Sequence, residues 1–198
     1  MKKLSVMSFL FFFTSLGFSK DDEKVFLVIE NYVNNNYQQA ENGWKYLAEK
    51  YDDDKAQFRL GIYYFLGEGL NKDLFESIKW LKRSALNGNI YAQYKLGKLY
   101  ETNEKIINHK EAKRWYLMAA EKGNHFAQYK LGKLFENRKN SFLNIEYAYM
   151  WLKISAALGN EMAIQNYKIL EKKMSISQLE NAMQLTSECF INNFQNCK

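Results

Sequence analysis

A ten-residue pattern of small, apolar and polar positions recurs along the chain at a nearly constant spacing. Residues 92–101 (AQYKLGKLYE) return almost letter for letter as residues 127–136 (AQYKLGKLFE), and a weaker copy begins at Ala56. The copies therefore stand 35 or 36 residues apart. Self-similarity at this period is typical of stacked helical hairpins, in which each repeat buries its apolar face against its neighbours.

Each repeat carries the pattern of two helices. The first helix contains Ala-x-x-x-Leu-Gly, and the second contains a tryptophan followed by small residues. Every tryptophan lies twelve residues before the alanine that opens the next repeat, so Trp44, Trp80, Trp115 and Trp151 precede Ala56, Ala92, Ala127 and Ala163. The constant offset predicts that these pairs hold equivalent places in the fold.

Small residues predict how the helices meet and where they end. The glycine of the Leu-Gly pair lets a partner helix approach the backbone closely, although glycine costs a helix about 1 kcal/mol. We expect the alanines five residues after each tryptophan to form the other side of this crossing. A second glycine suits the left-handed residue that ends a helix, and the asparagine after it suits the cap of the next helix. In chain order these sets are Gly61, Gly97 and Gly132; Ala85, Ala120 and Ala156; Gly88, Gly123 and Gly159; and Asn89, Asn124 and Asn160.

The segments at both ends predict elements that close the array. Apolar residues at helical spacing predict a helix over residues 25–33, and residues 38–51 predict a second one, so the pair forms a degenerate first hairpin. Residues 177–180 (SQLE) fit the capping box and predict the start of a last helix. Its apolar residues, expected to cover the final hairpin, are Leu179, Met183, Leu185 and Phe190.

The chain has two cysteines, Cys189 and Cys197, and their spacing leaves two interpretations open. On one continuous helix they would lie roughly 12 Å apart, which is too far for a disulfide. If Asn192 and Asn193 end the helix, the tail can fold back and a disulfide can form in an oxidising compartment. The alternative is a pair of free or intermolecularly bonded thiols.

Residues 56–89 contain Leu60-Gly61, Gly67-x-Gly69, Asn71-Lys72-Asp73, Trp80, Ser84-Ala85 and Gly88-Asn89. This set resembles the Sel-one-like repeat, a relative of the tetratricopeptide repeat, and the resemblance extends over roughly residues 37–170. It implies an all-α fold, a right-handed α-α solenoid of stacked antiparallel helix hairpins. The loops at residues 101–109 and 137–144 depart from the pattern, as does Tyr167-Lys168 in place of Leu-Gly.

We predict one repeat domain behind a cleavable leader. Residues 1–19 begin with lysines, continue with an apolar stretch and end in small residues before a charged segment, which is the order of an export signal. An uncleaved membrane anchor and a buried helix are the alternatives. We divide the rest into a degenerate hairpin at 20–55, repeats at 56–91, 92–126 and 127–162, and a C-terminal cap at 163–198. The expected location is the periplasm or the exterior, with no stable membrane span after cleavage.

No arrangement of residues in the sequence predicts catalysis. His109 and His125 fall in or beside turns without metal-ligand spacing, and the three carboxylates of residues 52–54 lack a cation-binding loop template. Gly-x-Ser-x-Gly and Ser-x-x-Lys motifs of hydrolases do not occur. The net charge of +6 falls by the two leader lysines to +4, which is too small to indicate nucleic acid. We therefore expect no enzyme, no cofactor, no metal site and no nucleic-acid partner.

A partner-binding face is the remaining candidate, because the resemblance implies that the first helices line the concave side of the solenoid. Counting from the Leu-Gly pairs gives a basic ladder flanked by apolar and aromatic residues. The predicted partner-binding residues are Arg59, Ile62, Tyr91, Lys95, Lys98, Phe126, Lys130 and Lys133. Such a face suits a protein with an acidic surface. The alternative is a solvated lysine face whose recurrence reflects duplication.

We predict a non-enzymatic periplasmic interaction module that holds a partner protein in its concave groove. The resemblance adds a specific form, because small exported members of the family include immunity proteins that neutralise phospholipase effectors of type VI secretion. A secreted lipase toxin is then the expected partner. The enzymatic alternative is an envelope hydrolase or a β-lactam-binding protein. The exported relatives linked to β-lactams carry a cysteine pair in each repeat, and this chain does not.

Overall fold

The computed structural model describes residues 20–67, 71–137 and 144–197, so the leader predicted at residues 1–19 lies outside the described residues. Ten helices and no strand occur in these ranges. They are α1 (Lys20–Val33), α2 (Tyr37–Lys50), α3 (Asp54–Leu66), α4 (Leu74–Leu86), α5 (Ile90–Thr102), α6 (His109–Ala120), α7 (His125–Glu136), α8 (Ile145–Ala157), α9 (Glu161–Glu171) and α10 (Ile176–Ile191). The all-α prediction is confirmed. None of the helices in the described part is long and apolar enough to cross a membrane.

The chain folds as two compact units, of which unit 1 ends at Asn87 and unit 2 begins at Gly88. Unit 1 contains the hairpins α1–α2 and α3–α4, and each helix packs against the next. Val28, Trp44, Leu60 and Trp80 are buried together in its core, so the first hairpin shares one apolar interior with the first full repeat.

Two of the three carboxylates of residues 52–54, those of Asp52 and Asp53, have structural roles in unit 1. The Asp53 side chain caps α3 by accepting a hydrogen bond from the Ala56 N–H at 2.6 Å. Asp52 forms an ion pair with Arg83, with 2.6 Å between Oδ1 and Nη2, which links the turn before α3 to the last turn of α4. This cluster is therefore a helix cap and an ion pair.

Glycine lies at the crossing of the two helices in every full repeat. A methyl carbon placed on Gly61 would lie 2.6 Å from the Leu81 side chain, and one on Gly132 would lie 2.6 Å from Leu152. On Gly97 it would lie 2.5 Å from the ring of Tyr116. Carbon atoms in contact stand about 3.5–4.0 Å apart, so each crossing excludes any larger side chain. The expected close approach is confirmed.

The prediction of which residues lie on the other side of this crossing was wrong. The glycines face Leu81, Tyr116 and Leu152, each one position after a tryptophan, rather than Ala85, Ala120 and Ala156. Leu81 and Ala85 share a helix face, because residues four apart do, but the closest approach falls one turn earlier. Ser77, one turn before Leu81, donates a hydrogen bond to the Gly61 carbonyl at 2.7 Å and marks the same point.

The predicted helix ends are confirmed. Gly88, Gly123 and Gly159 have φ values of +97°, +82° and +91°, the left-handed region in which glycine avoids strain. Asn89, Asn124 and Asn160 follow, and their side chains accept hydrogen bonds from the N–H groups of Ala92, Ala127 and Ala163. Sequence reasoning missed a second series of caps, in which Asp73, Asn108 and Asn144 begin the second helices α4, α6 and α8.

Unit 2 contains the hairpins α5–α6 and α7–α8, followed by α9 and α10. Both α9 and α10 pack against α8. The last helix begins two residues earlier than expected, because Ser175 and Gln178 form the capping box instead of Ser177 and Glu180. Leu179 and Leu185 contact the core of unit 2, as predicted. Met183 and Phe190 were expected there too, but they are exposed beside an apolar groove.

The end of the chain folds back onto unit 2. Because α10 ends at Ile191, the tail can turn, and Cys189 and Cys197 form a disulfide across a Cα–Cα distance of 5.2 Å. The Gln195 side chain donates a hydrogen bond to the Glu121 carbonyl at 2.6 Å. Both sulfurs belong to buried residues of the core of unit 2, so the disulfide fastens the tail against the end of α6.

Candidate functional site

The first helices of the hairpins in unit 2 stand side by side and offer one continuous surface. Helices α5 and α7 are in contact. The Lys130 ammonium of α7 lies 2.9 Å from a Glu101 carboxylate oxygen of α5, and Lys133 of α7 donates to the Asn166 amide oxygen of α9 at 3.1 Å. We call this surface the first-helix face. Its residues are Tyr91, Lys95, Lys98, Glu101, Phe126, Lys130, Lys133, Glu136, Met162, Asn166 and Ile169.

A row of exposed apolar side chains crosses the start of the first-helix face. Tyr91, Phe126 and Met162 occupy equivalent positions, one residue before the alanine that opens each repeat. They are 68%, 47% and 52% exposed. Tyr91 and Phe126 were predicted, whereas Met162 was not, although counting back one residue from Ala163 would have found it.

Two of the four lysines on this face are paired with glutamates. The Glu101 carboxylate forms an ion pair with Lys130 and accepts a hydrogen bond from the Tyr116 hydroxyl at 2.7 Å. Lys133 pairs with Glu136 in the last turn of its own helix. The sequence prediction considered only the lysines, but the same repeated decamer supplies both glutamates. The face is therefore not the uniformly basic ladder that was expected.

The other two lysines, Lys95 and Lys98, are close enough for their charges to interact. Burial lowers the pKa of Lys95, and the positive charge of Lys98 lowers this pKa further. Lys98 is exposed and forms no ion pair with any residue that the structure describes. Lys98 therefore presents an exposed positive charge, and an added anion would relieve its repulsion with the Lys95 ammonium group.

A cleft of about 730 Å³ opens at the other end of the first-helix face. Glu101, Lys133, Glu136 and Lys173 give its lining charges of both signs, and Leu134 and Leu170 add apolar surface. A lining of this kind suits the mixed polar and apolar surface of a protein.

The predicted residues Arg59 and Ile62 belong to unit 1 and line a different pocket. It measures about 280 Å³ and is also lined by Ile29, Tyr32, Trp44 and Tyr63. The eight predicted residues thus fall into two sets, with Arg59 and Ile62 at the unit 1 pocket and the other six on the first-helix face of unit 2.

Each of the two histidines is the first residue of a helix. His109 is the first residue of α6 and is exposed. His125 is the first residue of α7, where its ring lies 4.1 Å from that of Phe126 and its carbonyl accepts a hydrogen bond from Ser155 at 2.6 Å. Within the described ranges, no group of three or more His, Cys, Asp or Glu side chains could hold a metal ion.

Comparison with known proteins identifies the family. The sequence profile of the Sel1 repeat matches residues 54–89, 90–124 and 125–160, which together exceed half of the chain. The chain belongs to the Sel1 repeat family. Sel1 repeats generally serve as protein–protein interaction modules. No protein of curated function matches the chain.

Two solved structures are similar to this chain. The first is c5321, a protective antigen of uropathogenic Escherichia coli with an SLR fold, at 28% identity and a TM-score of 0.60. The match covers 73% of this chain and 32% of the antigen, so this chain spans about a third of the antigen's length. The second is a Sel1 repeat protein from Oxalobacter formigenes, at 33% identity and a TM-score of 0.57, covering 63% of this chain and 94% of that one. Adjacent helix pairs pack here as in these SLR solenoids.

Proposed function

We propose that this chain is a non-enzymatic module that binds a protein partner through the first-helix face of unit 2. The observation that carries the proposal is the exposed apolar row of Tyr91, Phe126 and Met162 next to the unpaired charge of Lys98. Protein interfaces combine a buried centre rich in aromatic residues and methionine with a polar rim. Isolated exposed apolar residues need no explanation, but their recurrence at equivalent positions of the first helices α5, α7 and α9 supports a shared role.

The face specifies the chemistry of its partner. The apolar row requires an apolar strip on the partner, and the exposed charge of Lys98 requires a carboxylate beside that strip. The charges of the Glu101–Lys130 and Glu136–Lys133 pairs already have partners within the chain. We therefore assign these pairs to the polar rim of the proposed interface. The proposed partner thus has an acidic surface opposite Lys98 and a mixed polar and apolar surface opposite the rest of the face.

The proposed place of action is the periplasm or the exterior. The order of residues 1–19 supports export. The disulfide between Cys189 and Cys197 is consistent with an oxidising compartment, since cytosolic thiols are kept reduced.

The more specific proposal is an immunity protein for a secreted phospholipase effector. Its support is the family resemblance together with the export pattern and the available binding face. A bound face could cover the rim of an effector's active site and block lipid access. The decisive outcomes are a one-to-one complex with the product of an adjacent effector gene, and killing of a deletion strain by its sister cells.

A charge reversal tests the binding face directly. The mature chain should capture a partner from the envelope fraction, and Lys98→Glu should weaken that purified complex by about tenfold or more because like charges would then meet. Lys110→Glu is the matched control, because Lys110 is an exposed lysine of α6 outside the face. Binding is measured by calorimetry and folding by circular dichroism. Equal affinity of both variants and the wild type would remove the first-helix face as the site.

A further inference from the structure

The pocket of unit 1 is built mainly from aromatic side chains. Tyr32 and Tyr63 meet edge to face with their ring centroids 5.3 Å apart, and Trp44 lines the same pocket. The enclosed volume of about 280 Å³ is below the usual range of pockets for drug-sized ligands, about 300–1,000 Å³. Its size therefore suits one large side chain of a partner rather than a whole cofactor.

Trp44 contributes its almost fully buried indole ring to the lining of this pocket. The residue is 93% buried, being 7% exposed, and its indole N–H has no acceptor among the described residues. Trp80 and Trp115 also have unsatisfied indole N–H groups, but neither lines this pocket. The unsatisfied indole N–H is thus a feature of the repeat, and it is the ring of Trp44 that a ligand in this pocket would contact.

A positive charge and an apolar stripe lie next to the pocket. Arg59 lines it, is exposed and forms no ion pair with any described residue. On α1, Val25, Ile29 and Tyr32 are spaced at i, i+4 and i+7, which places them on one helix face, and all three are exposed. A bound segment could therefore extend from the pocket along α1.

We propose that the unit 1 pocket is a docking site for a partner peptide with a large apolar side chain next to a carboxylate. The apolar side chain packs against the rings of Trp44 and Tyr63, and the carboxylate pairs with Arg59. This inference extends the proposed protein-binding role to a second site, in a different unit from the first-helix face. It depends on the chemistry of the unit 1 pocket alone.

The test uses defined peptides and the indole N–H signals of the mature chain in nitrogen-15 spectra. The probe is N-acetyl-Phe-Glu-amide, with N-acetyl-Phe-Gln-amide and N-acetyl-Ala-Glu-amide as controls. The chain has four tryptophans, and Trp44→Phe assigns the signal of interest. We expect the Phe-Glu probe to move the Trp44 signal, because its phenylalanine ring packs against the indole, while the other indole signals stay in place. The Ala-Glu control should bind roughly tenfold more weakly or worse, since alanine buries far less apolar surface than phenylalanine does.

The charge requirement is tested with Arg59→Gln. This exposed variant should bind the Phe-Glu probe up to about fivefold more weakly, so that it no longer distinguishes Phe-Glu from Phe-Gln. Lys79→Gln also removes one positive charge, but from a lysine on α4 that pairs with Glu76 outside the pocket, and it should bind as the wild type does.

Three results would overturn the docking site. They are a Trp44 signal that none of the peptides moves, equal binding of the Phe-Glu and Ala-Glu probes, and an equal loss of affinity in Arg59→Gln and Lys79→Gln. Because these titrations need no natural partner, the outcome is separate from that of Lys98→Glu at the first-helix face.

Discussion

Unit 1 and unit 2 are built from the same repeat but present different surfaces. Inside, the glycine crossings, the buried tryptophans and the helix caps recur at equivalent positions in both. On the first helices, unit 1 places Arg59 and Ile62 at a small aromatic pocket, whereas unit 2 places lysines at the equivalent positions. Interior positions are constrained by close packing, and exposed positions are free to acquire separate binding properties.

The two units also end differently. The N-terminal hairpin of unit 1 leaves Val25, Ile29 and Tyr32 exposed on α1. The end of unit 2 folds its tail back and fastens it with a disulfide. Terminal units of a repeat array normally have a polar outer face. The apolar end of unit 1 therefore departs from this rule beside the proposed docking pocket.

The glycine crossings should reveal the largest difference between equivalent positions. Gly97→Ala should lower the free energy of unfolding by about 3 kcal/mol, because the new methyl meets the rigid, buried ring of Tyr116. Gly61→Ala should cost less, about 2 kcal/mol, since a leucine side chain has more rotamers with which to move away from the new methyl than an aromatic ring has. Urea unfolding followed by circular dichroism measures both.

A double variant controls for other effects of the Gly97 change. Tyr116→Leu supplies the residue that the other two repeats use, so Gly97→Ala should cost less in that background. If Gly97→Ala is neutral or stabilising, as the helix propensity of alanine alone would make it, the close crossing is refuted.

The disulfide should stabilise unit 2 and leave unit 1 unaffected. Replacing both Cys189 and Cys197 by alanine should cost about 2.5 kcal/mol in the free energy of unfolding, the loop-closure value for a ring of this size. Hydrogen exchange should rise in α10 and the tail but remain unchanged in residues 20–67. Faster exchange throughout unit 1 would contradict the separation of these effects.

The smallest expected effect is an acid-dependent loss of stability in unit 1. Burial would raise the pKa of Glu41, but hydrogen bonds from Lys45 and Tyr64 outweigh burial and lower this pKa below its ordinary value of 4.5. A carboxyl group whose pKa is lower in the folded than in the unfolded state stabilises the fold at pH values above its unfolded-state pKa. This stability is lost as the pH falls through the folded-state pKa. The melting temperature of the wild type should therefore fall more between pH 6 and pH 3 than that of Glu41→Gln. Parallel pH profiles for the two proteins would show that the carboxylate contributes nothing.

Much of the fold could be predicted because the repeat states the same residue types several times. Backbone geometry requires glycine at the crossings and favours asparagine at the caps. These residue types therefore recur at the period of the repeat and can be recognised in the sequence. The residue opposite each glycine was assigned to the wrong turn because alanine and the true partner share a helix face. Ser175 was missed because Ser177 and Glu180 fit the same capping pattern two residues later.

The candidate site was harder to predict than the fold. The positions of Lys130 and Lys133 on first helices follow from the period, but their pairing with Glu101 and Glu136 depends on side-chain directions. The unit 1 pocket depends on where α1 lies, and α1 lacks the repeat motif that would have placed it. Sequence alone therefore suggested one basic ladder, whereas the structure places Arg59 and Ile62 at a pocket of unit 1 and pairs two of the unit 2 lysines with glutamates.

Site-specific crosslinking in the producing cell tests the central claim that the first-helix face binds a protein. A photoreactive benzoylphenylalanine replaces Phe126 on that face or, as the control, Phe75, which is 77% exposed on α4 of unit 1. We predict one specific protein adduct from position 126 that Lys98→Glu diminishes, and no such adduct from position 75. The same adduct from both positions, or none from position 126, would contradict the proposed function.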